Sequence, residues 1–245
     1  MLISSDSVNK LAGYIENRDE VFCSGLFLSA RWMVVSQLDH IGIQMIILPD
    51  RDSAEYCAAD LYNLIEGDKV YFLPDSGKTL ERSNYKSSLG VQRTSAVGKI
   101  LEYEKGEQMI VVTYPSALEE NIPDKGKIQG ALLKLTVGEE KSYDEIIEVL
   151  FNNGFERVDF VAEPGQFAVR GALIDIFSYS FNNPFRISFF GDEIDSINVF
   201  DTNTQLSKEK VEYVDIYPDL SSDEEGEGVR ITDILPESTL VWMDS

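Results

Sequence analysis

Histidine, cysteine and positive charge are all scarce in this chain of 245 residues. There is one histidine, His40, and there are two cysteines, Cys23 and Cys57. A single imidazole leaves His-based metal sites and Ser-His-Asp machinery almost nothing to work with. Two cysteines without CxxC spacing make no disulfide framework and fit a reducing compartment. No apolar run approaches the roughly 20 residues that a membrane span needs. The first residues, MLISSDSVNKLAG, lack the basic start and long apolar stretch of a secretory signal. The expected location is the cytoplasm, with no membrane partner. Basic residues number 21 against 43 acidic ones, a net charge of −22. A surface that acidic repels phosphates, which argues against a dedicated nucleic-acid-binding module. It leaves room for a protein partner with a basic face.

What is present is ordinary globular composition, 43% apolar and 26% charged, in a length that suits one large domain or two smaller ones. The first half alternates helical and strand patterns. A helix is expected over 6–17 behind a Ser-Asp-Ser cluster, and a mostly buried one over 26–38 (LFLSARWMVVSQL). The β-rich run 43–48 closes at Pro49-Asp50. RDSAEYCAADLYNLIE then carries apolar residues close to a 3.6-residue period. Strands at 70–73 and 109–112 flank a helix expected over about 88–103, and a turn follows at 115–118. Short apolar strands joined by long helices mean crossover connections and a parallel sheet covered on both faces.

After about residue 127 the rhythm changes. A helix over 142–154 ends at Gly154, and strand segments then crowd together at 157–161, 167–177, 185–190, 193–200 and 211–217. Gly191-Asp192 reads as a tight hairpin turn. This is antiparallel meander chemistry with a helix on one face, an α+β domain. Asp219–Glu227 is an acidic Ser/Gly-rich loop with no means of burying itself. Leu240–Met243 reads as another buried strand, and its lack of a covering helix gives the end of the chain a truncated look.

Ser76-Gly77-Lys78-Thr79, after the strand at 70–73, resembles the end of a phosphate-binding loop. That loop needs a glycine five residues before Gly77, where this chain has Phe72, and Pro74 removes a donor from the cradle. A polar surface turn is the expectation. His40 reads as a helix-terminal histidine near carbonyl ends, and both cysteines as buried small hydrophobes. Acidic pairs such as Glu119-Glu120 and Glu139-Glu140 identify no acid–base couple. Catalysis has no visible home.

Between Arg157 and Lys208 the only cationic residues are Arg170 and Arg186, each inside a strand-like run with aromatic neighbours. Arginine beside aromatics is the composition of a protein-interface hot spot. Intramolecular ion pairs with Asp175, Asp192 or Asp195 are the competing reading. Gly171 either allows close backbone approach or marks a bulge.

A family resemblance runs through the same residues. Glu163-Pro-Gly-Gln-Phe-Ala-Val-Arg-Gly-Ala-Leu-Ile-Asp-Ile-Phe177, then Pro184–Ile197, Phe200-Asp201 and Thr204-Gln205, resemble the bacterial transcription-repair coupling factors. The stretch is also similar to the corresponding module of the excinuclease subunit UvrB, and Asp233–Asp244 resembles the segment returning to the first domain. The resemblance implies a degenerate helicase-like (P-loop-type) α/β domain over 1–126 and 210–245, interrupted by an α+β UvrA-binding domain over 127–209. It implies that the ATP-binding loop has decayed to Phe22–Ala30, with Leu and Phe where Lys and Thr would be needed. It also places the UvrA contacts on Arg170, Arg186 and Phe190.

The implied function is recruitment of UvrA to RNA polymerase stalled at DNA damage, with no catalysis and no cofactor in this segment. ATP, Mg, the polymerase and double-stranded DNA would be handled by other parts of a longer protein. The alternatives are an ATP-binding enzyme using Ser76–Thr79 and a fragment of UvrB itself. Charge sharpens where to look: residues 1–115 carry 11 basic and 16 acidic residues, net −5, and the remainder 10 and 27, net −17. Within that acidic half, Arg170 and Arg186 are the only cations between Arg157 and Lys208.

Overall fold

The computed structural model of the chain describes residues 5–17, 20–26, 29–38, 41–77, 83–104, 106–221 and 228–243, giving only the backbone of residues 5 and 83–87. Along the chain come α1 (Ser5–Ile15), α2 (Ala30–Ser36), β1 (Ile43–Ile47), α3 (Arg51–Leu64), β2 (Val70–Phe72), α4 (Ser83–Glu102), β3 (Met109–Thr113) and α5 (Pro115–Glu119). There follow β4 (Asn121–Ile122), α6 (Lys125–Ala131), β5 (Leu133–Thr136), α7 (Tyr143–Asn152), β6 (Glu156–Arg157), β7 (Gln166–Arg170), β8 (Leu173–Phe177) and β9 (Phe185–Phe190). Then come β10 (Glu193–Phe200), β11 (Ser207–Val211), β12 (Tyr213–Ile216), β13 (Val229–Arg230), α8 (Ile231–Ile234) and β14 (Leu240–Met243). Two compact units result: Met1–Leu73 with Tyr103–Ala117 and Leu235–Ser245, and Pro74–Glu102 with Leu118–Ile234.

The first unit holds a four-stranded, all-parallel sheet in the order β14-β1-β3-β2. Every residue of β3 is buried, as a central parallel strand requires. Helix α3 starts where the Asp50 carboxylate accepts the Ser53 N–H, and it buries Ala54, Cys57, Ala58 and Leu61 among Ile46, Val70, Phe72, Ile110 and Val112. The parallel α/β reading therefore holds.

Three details in this unit differ from the sequence reading. Where a helix was expected over 26–38, the described helix spans Ala30–Ser36; Ser29 gives it no side-chain cap and instead donates to Asp60 at 2.6 Å. Residues 27 and 28, and His40, lie outside the described residues. Cys23 is exposed, while Cys57 is buried. Among the described residues β14 pairs with β1 alone, and with Val241 and Met243 exposed it is half-buried where full burial was expected.

The second unit is built on a six-stranded sheet, β11-β10-β9-β8-β7-β6, antiparallel except for the β6–β7 pair. Helix α7 opens under the Ser142 cap and stops at Gly154, whose φ of +77° suits a residue without Cβ. Its Ile146 and Leu150 close the main core with Phe167, Ile174, Ile176, Phe185, Ile187 and Ile197. The exposed edge strand β11 carries Lys208, Glu209 and Lys210, charges that discourage edge-to-edge pairing.

The segment 167–177 is a hairpin and not one strand: Arg170 pairs with Leu173 around Gly171-Ala172, with Gly171 at φ +59°. Gly171 thus marks neither a bulge nor a close approach, and no atom lies within 4 Å of a Cβ placed there. The segment 211–217 likewise divides between β11 and β12, the latter pairing with β5. Leu220 and Ser221, expected in an unburied acidic loop, are buried; residues 222–227 lie outside the described residues. Among the described residues no helix is long and apolar enough to cross a membrane.

Candidate functional site

Sheet register brings the two isolated arginines together. Asp175 stands opposite Ala168 on one side and Arg186 on the other, and Arg170 lies two residues beyond Ala168. Alternation then sends Phe167, Ile174, Phe185 and Ile187 to the core, and Ala168, Arg170, Asp175, Phe177 and Arg186 to the opposite face. Asp175 is only 1% exposed and binds both guanidiniums. Arg186 donates from Nε at 2.7 Å to one carboxylate oxygen and from Nη2 at 2.9 Å to the other, while Arg170 Nη2 donates to the second oxygen. A buried carboxylate is tolerated when it is paired and hydrogen-bonded in this way. Hydrogen bonding to Asp175 pushes the Arg186 guanidinium above its ordinary pKa.

Both arginines also lie on aromatic rings. Arg186 sits 4.4 Å from the centroid of the buried Phe200, and Arg170 sits 5.0 Å from that of Phe160. Phe160 is 61% exposed. Its loop is held by Gln166, whose side-chain oxygen accepts the Ala162 and Glu163 N–H groups at 2.9 and 3.1 Å. On the other flank Gln205 adopts φ +59° and meets Arg186 with its carbonyl at 3.4 Å and its side-chain oxygen at 3.3 Å. The neighbouring Leu206 is exposed.

Phe190 shares the arginine face of β9, four residues beyond Arg186, or about 13 Å along an extended strand. It is 81% exposed, and the rings that lie under the two guanidiniums are those of Phe160 and Phe200. The face is an arginine pair on one buried carboxylate, with exposed Phe160, Phe190 and Leu206 near its margins. Of the three acids that stood as candidate partners, register selects Asp175. Phe160 and Gln205 were not named as site residues; an aromatic in a Pro-Gly loop was the one available signal for Phe160, and Gln205 stood only among the residues of the family resemblance.

The P-loop-like stretch has a different character. Ser76 is buried, where a surface turn was expected; its N–H and hydroxyl donate to the two Glu120 carboxylate oxygens at 2.7 and 2.9 Å. Gly77 N–H donates to Asp75 at 3.0 Å. These donors already face carboxylates, whose charge opposes a phosphate. Lys78 and Thr79 lie outside the described residues. In the stretch expected to be a decayed loop, Phe22 is 86% exposed and Gly25 has φ +81°. Among the described residues, no cluster of three or more His, Cys, Asp or Glu side chains could hold a metal ion.

Residues 133–221 match the family described as the UvrB interaction domain. That range contains the whole arginine face. The chain is 29% identical over 218 residues to the transcription-repair-coupling factor of Bacillus subtilis, covering 88% of this chain and 18% of that protein. It is 31% identical over 186 residues to the transcription-repair-coupling factor of Mycobacterium tuberculosis, covering 73% of this chain and 15% of that protein. The corresponding factor of Staphylococcus aureus is 28% identical over 218 residues, covering 88% and 18%. The chain thus spans less than a fifth of the length of these relatives.

Proposed function

We propose, for a chain that carries a UvrB interaction domain and is related to the transcription-repair-coupling factors, that its second unit docks UvrA. Docking would recruit nucleotide excision repair to RNA polymerase stalled at DNA damage. The observation that carries this reading is the arginine face: two guanidiniums ordered by a buried Asp175, with exposed Phe160 and Phe190 nearby, inside the matched domain. Ordered arginine and exposed aromatic rings are the residues that dominate interface energies.

On this reading, 127–209 is the docking module, and 1–126 with 210–245 is a helicase-like domain whose nucleotide site has decayed. The four-stranded parallel sheet supports the α/β part of the second assignment, and the carboxylates on the Ser76 and Gly77 donors weigh against the rival phosphate site there. This segment would act without cofactor or catalysis, in the cytoplasm. ATP-dependent translocation on DNA and displacement of the polymerase would belong to the longer protein.

The test is UvrA binding by this chain and by the folded Arg170→Ala/Arg186→Ala pair, measured by calorimetry. The pair should lose about 2 kcal/mol or more of binding free energy, as hot-spot arginines do. Unchanged affinity would remove the site assignment. ATP binding abolished by Lys78→Ala would instead establish a nucleotide enzyme at Ser76–Thr79. The relatives bear the coupling-factor name, which favours that family over a UvrB fragment.

A further inference from the structure

We propose that Asp175 is the positioning residue of the docking face, and that Arg186 works as an internal tie through it while Arg170 is the arginine offered to the partner. The inference rests on the UvrA-docking reading and deepens it by dividing the work of the two arginines. A guanidinium carries five N–H donors on three nitrogens. In Arg186 every nitrogen is engaged: Nε and Nη2 on Asp175, Nη2 also on the Gln205 side chain, and Nη1 on the Gln205 carbonyl. One flat face lies on Phe200, and 19% of the side chain is exposed. Four of the five N–H donors of Arg186 are thus spent within this chain, which leaves a partner a single Nη1 proton.

Arg170 differs. It gives Asp175 a single bond through Nη2, and its Nε and Nη1 donate to no group among the described residues. Its side chain is 35% exposed and lies against the exposed Phe160 ring. A cation with unused donors, backed by an aromatic ring, is complementary to a carboxylate presented by UvrA. Asp175 determines where that cation stands, because it holds Arg170 through one oxygen while Arg186 bridges both of its oxygens. The same carboxylate reaches the margin of the face through Arg186 and Gln205, next to the exposed Leu206. Without the buried charge, two neighbouring guanidiniums repel each other and both lose their anchor.

UvrA binding is measured for the wild-type chain, Asp175→Asn, Arg170→Ala, the two combined, and Arg186→Lys, with amide NMR spectra recorded for each. Wild type should bind, and Asp175→Asn should weaken binding about tenfold or more. Combined with Arg170→Ala it should cost clearly less than the product of the separate losses, because Asp175 acts through that arginine. Arg186→Lys keeps the charge but loses the fork, so its weakened binding should come with shifted amide signals over 201–206. Full affinity in Asp175→Asn, or losses that simply multiply, would overturn the positioning role and leave the docking reading intact. No binding by wild type would overturn the docking reading and the inference with it. Should Asp175→Asn fail to fold, Arg186→Lys decides: lost binding with unshifted 201–206 signals makes Arg186 a direct contact and overturns the division.

Discussion

The Arg93 guanidinium, wholly enclosed, donates from Nε to the Ser221 carbonyl at 2.7 Å, across 128 residues of sequence. Its Nη1 donates to the Pro74 carbonyl at 2.8 Å and its Nη2 to the Glu120 carbonyl at 3.0 Å. One cation on α4 thus gathers three chain segments of the second unit. Arg93→Ala should cost about 3 kcal/mol or more, since it strands buried carbonyls and leaves a cavity. Urea unfolding measures it, and a loss below about 1 kcal/mol would show that these bonds are dispensable.

The two cysteines should react at very different rates. Cys23 is exposed, whereas burial pushes the Cys57 thiol up to about 12, leaving almost no thiolate at neutral pH. A thiol reagent should therefore label one site quickly, and Cys23→Ser should abolish that fast phase. Rapid labelling that survives Cys23→Ser would contradict the burial of α3.

The turn beside Arg186 should be acid-sensitive. The Thr204 N–H, the Lys208 ammonium and the Asn203 N–H hold the Asp201 carboxyl at about 2, below its ordinary 3.8. A depressed native pKa gives stability that is fully present above pH 3.8 and lost as pH falls through 2. Carboxylate NMR should give an Asp201 midpoint near 2, moving up toward 3.8 when Lys208→Met is combined with Thr204→Pro. An Asp201 midpoint already at its ordinary value in wild type would mean that the turn is not held this way.

Gly165 should resist replacement. Its φ is +85°, and a methyl group there would run into the Tyr179 hydroxyl. Gly165→Ala should cost about 1–3 kcal/mol, through backbone strain and the clash together. Tyr179→Phe in the same chain should recover only part of that loss, because the ring itself also stands close. A neutral Gly165→Ala in thermal unfolding would refute this packing.

How far these features could be read from the sequence depended on whether their causes were local. Helix α7 was legible because the Ser142 cap, the apolar period and Gly154 all lie within its own span. The β9–β10 hairpin was legible from Gly191-Asp192. The β7–β8 hairpin was not, since Ala172-Leu173 continue the apolar run and hide the turn that Gly171 makes. The helix at 26–38 was over-read for want of any stop signal. Cys23 was expected to be buried because it lies in the short apolar run Val21-Phe22-Cys23, and it is exposed. At the candidate site, Arg170, Arg186 and Phe190 stood out by composition and resemblance. Asp175 was one acid among three until strand register chose it. The contact of Gln205 with Arg186 spans a chain reversal that leaves no trace in local spacing.

The pairing of β14 with β1 bears on how the chain is made. Trp242 donates its indole N–H to the buried Gln44 side chain at 3.1 Å, 198 residues away in sequence. On the ribosome, β1 emerges long before β14, and its outer edge waits while all of the second unit is synthesised. The second unit contains its own core and its own sheet, so it has the contacts to fold during that interval. β14 joins β1 after that, by closing one very long loop whose ends are brought nearer once the intervening chain is compact. A slow folding phase should therefore report on Trp242 and not on the arginine face.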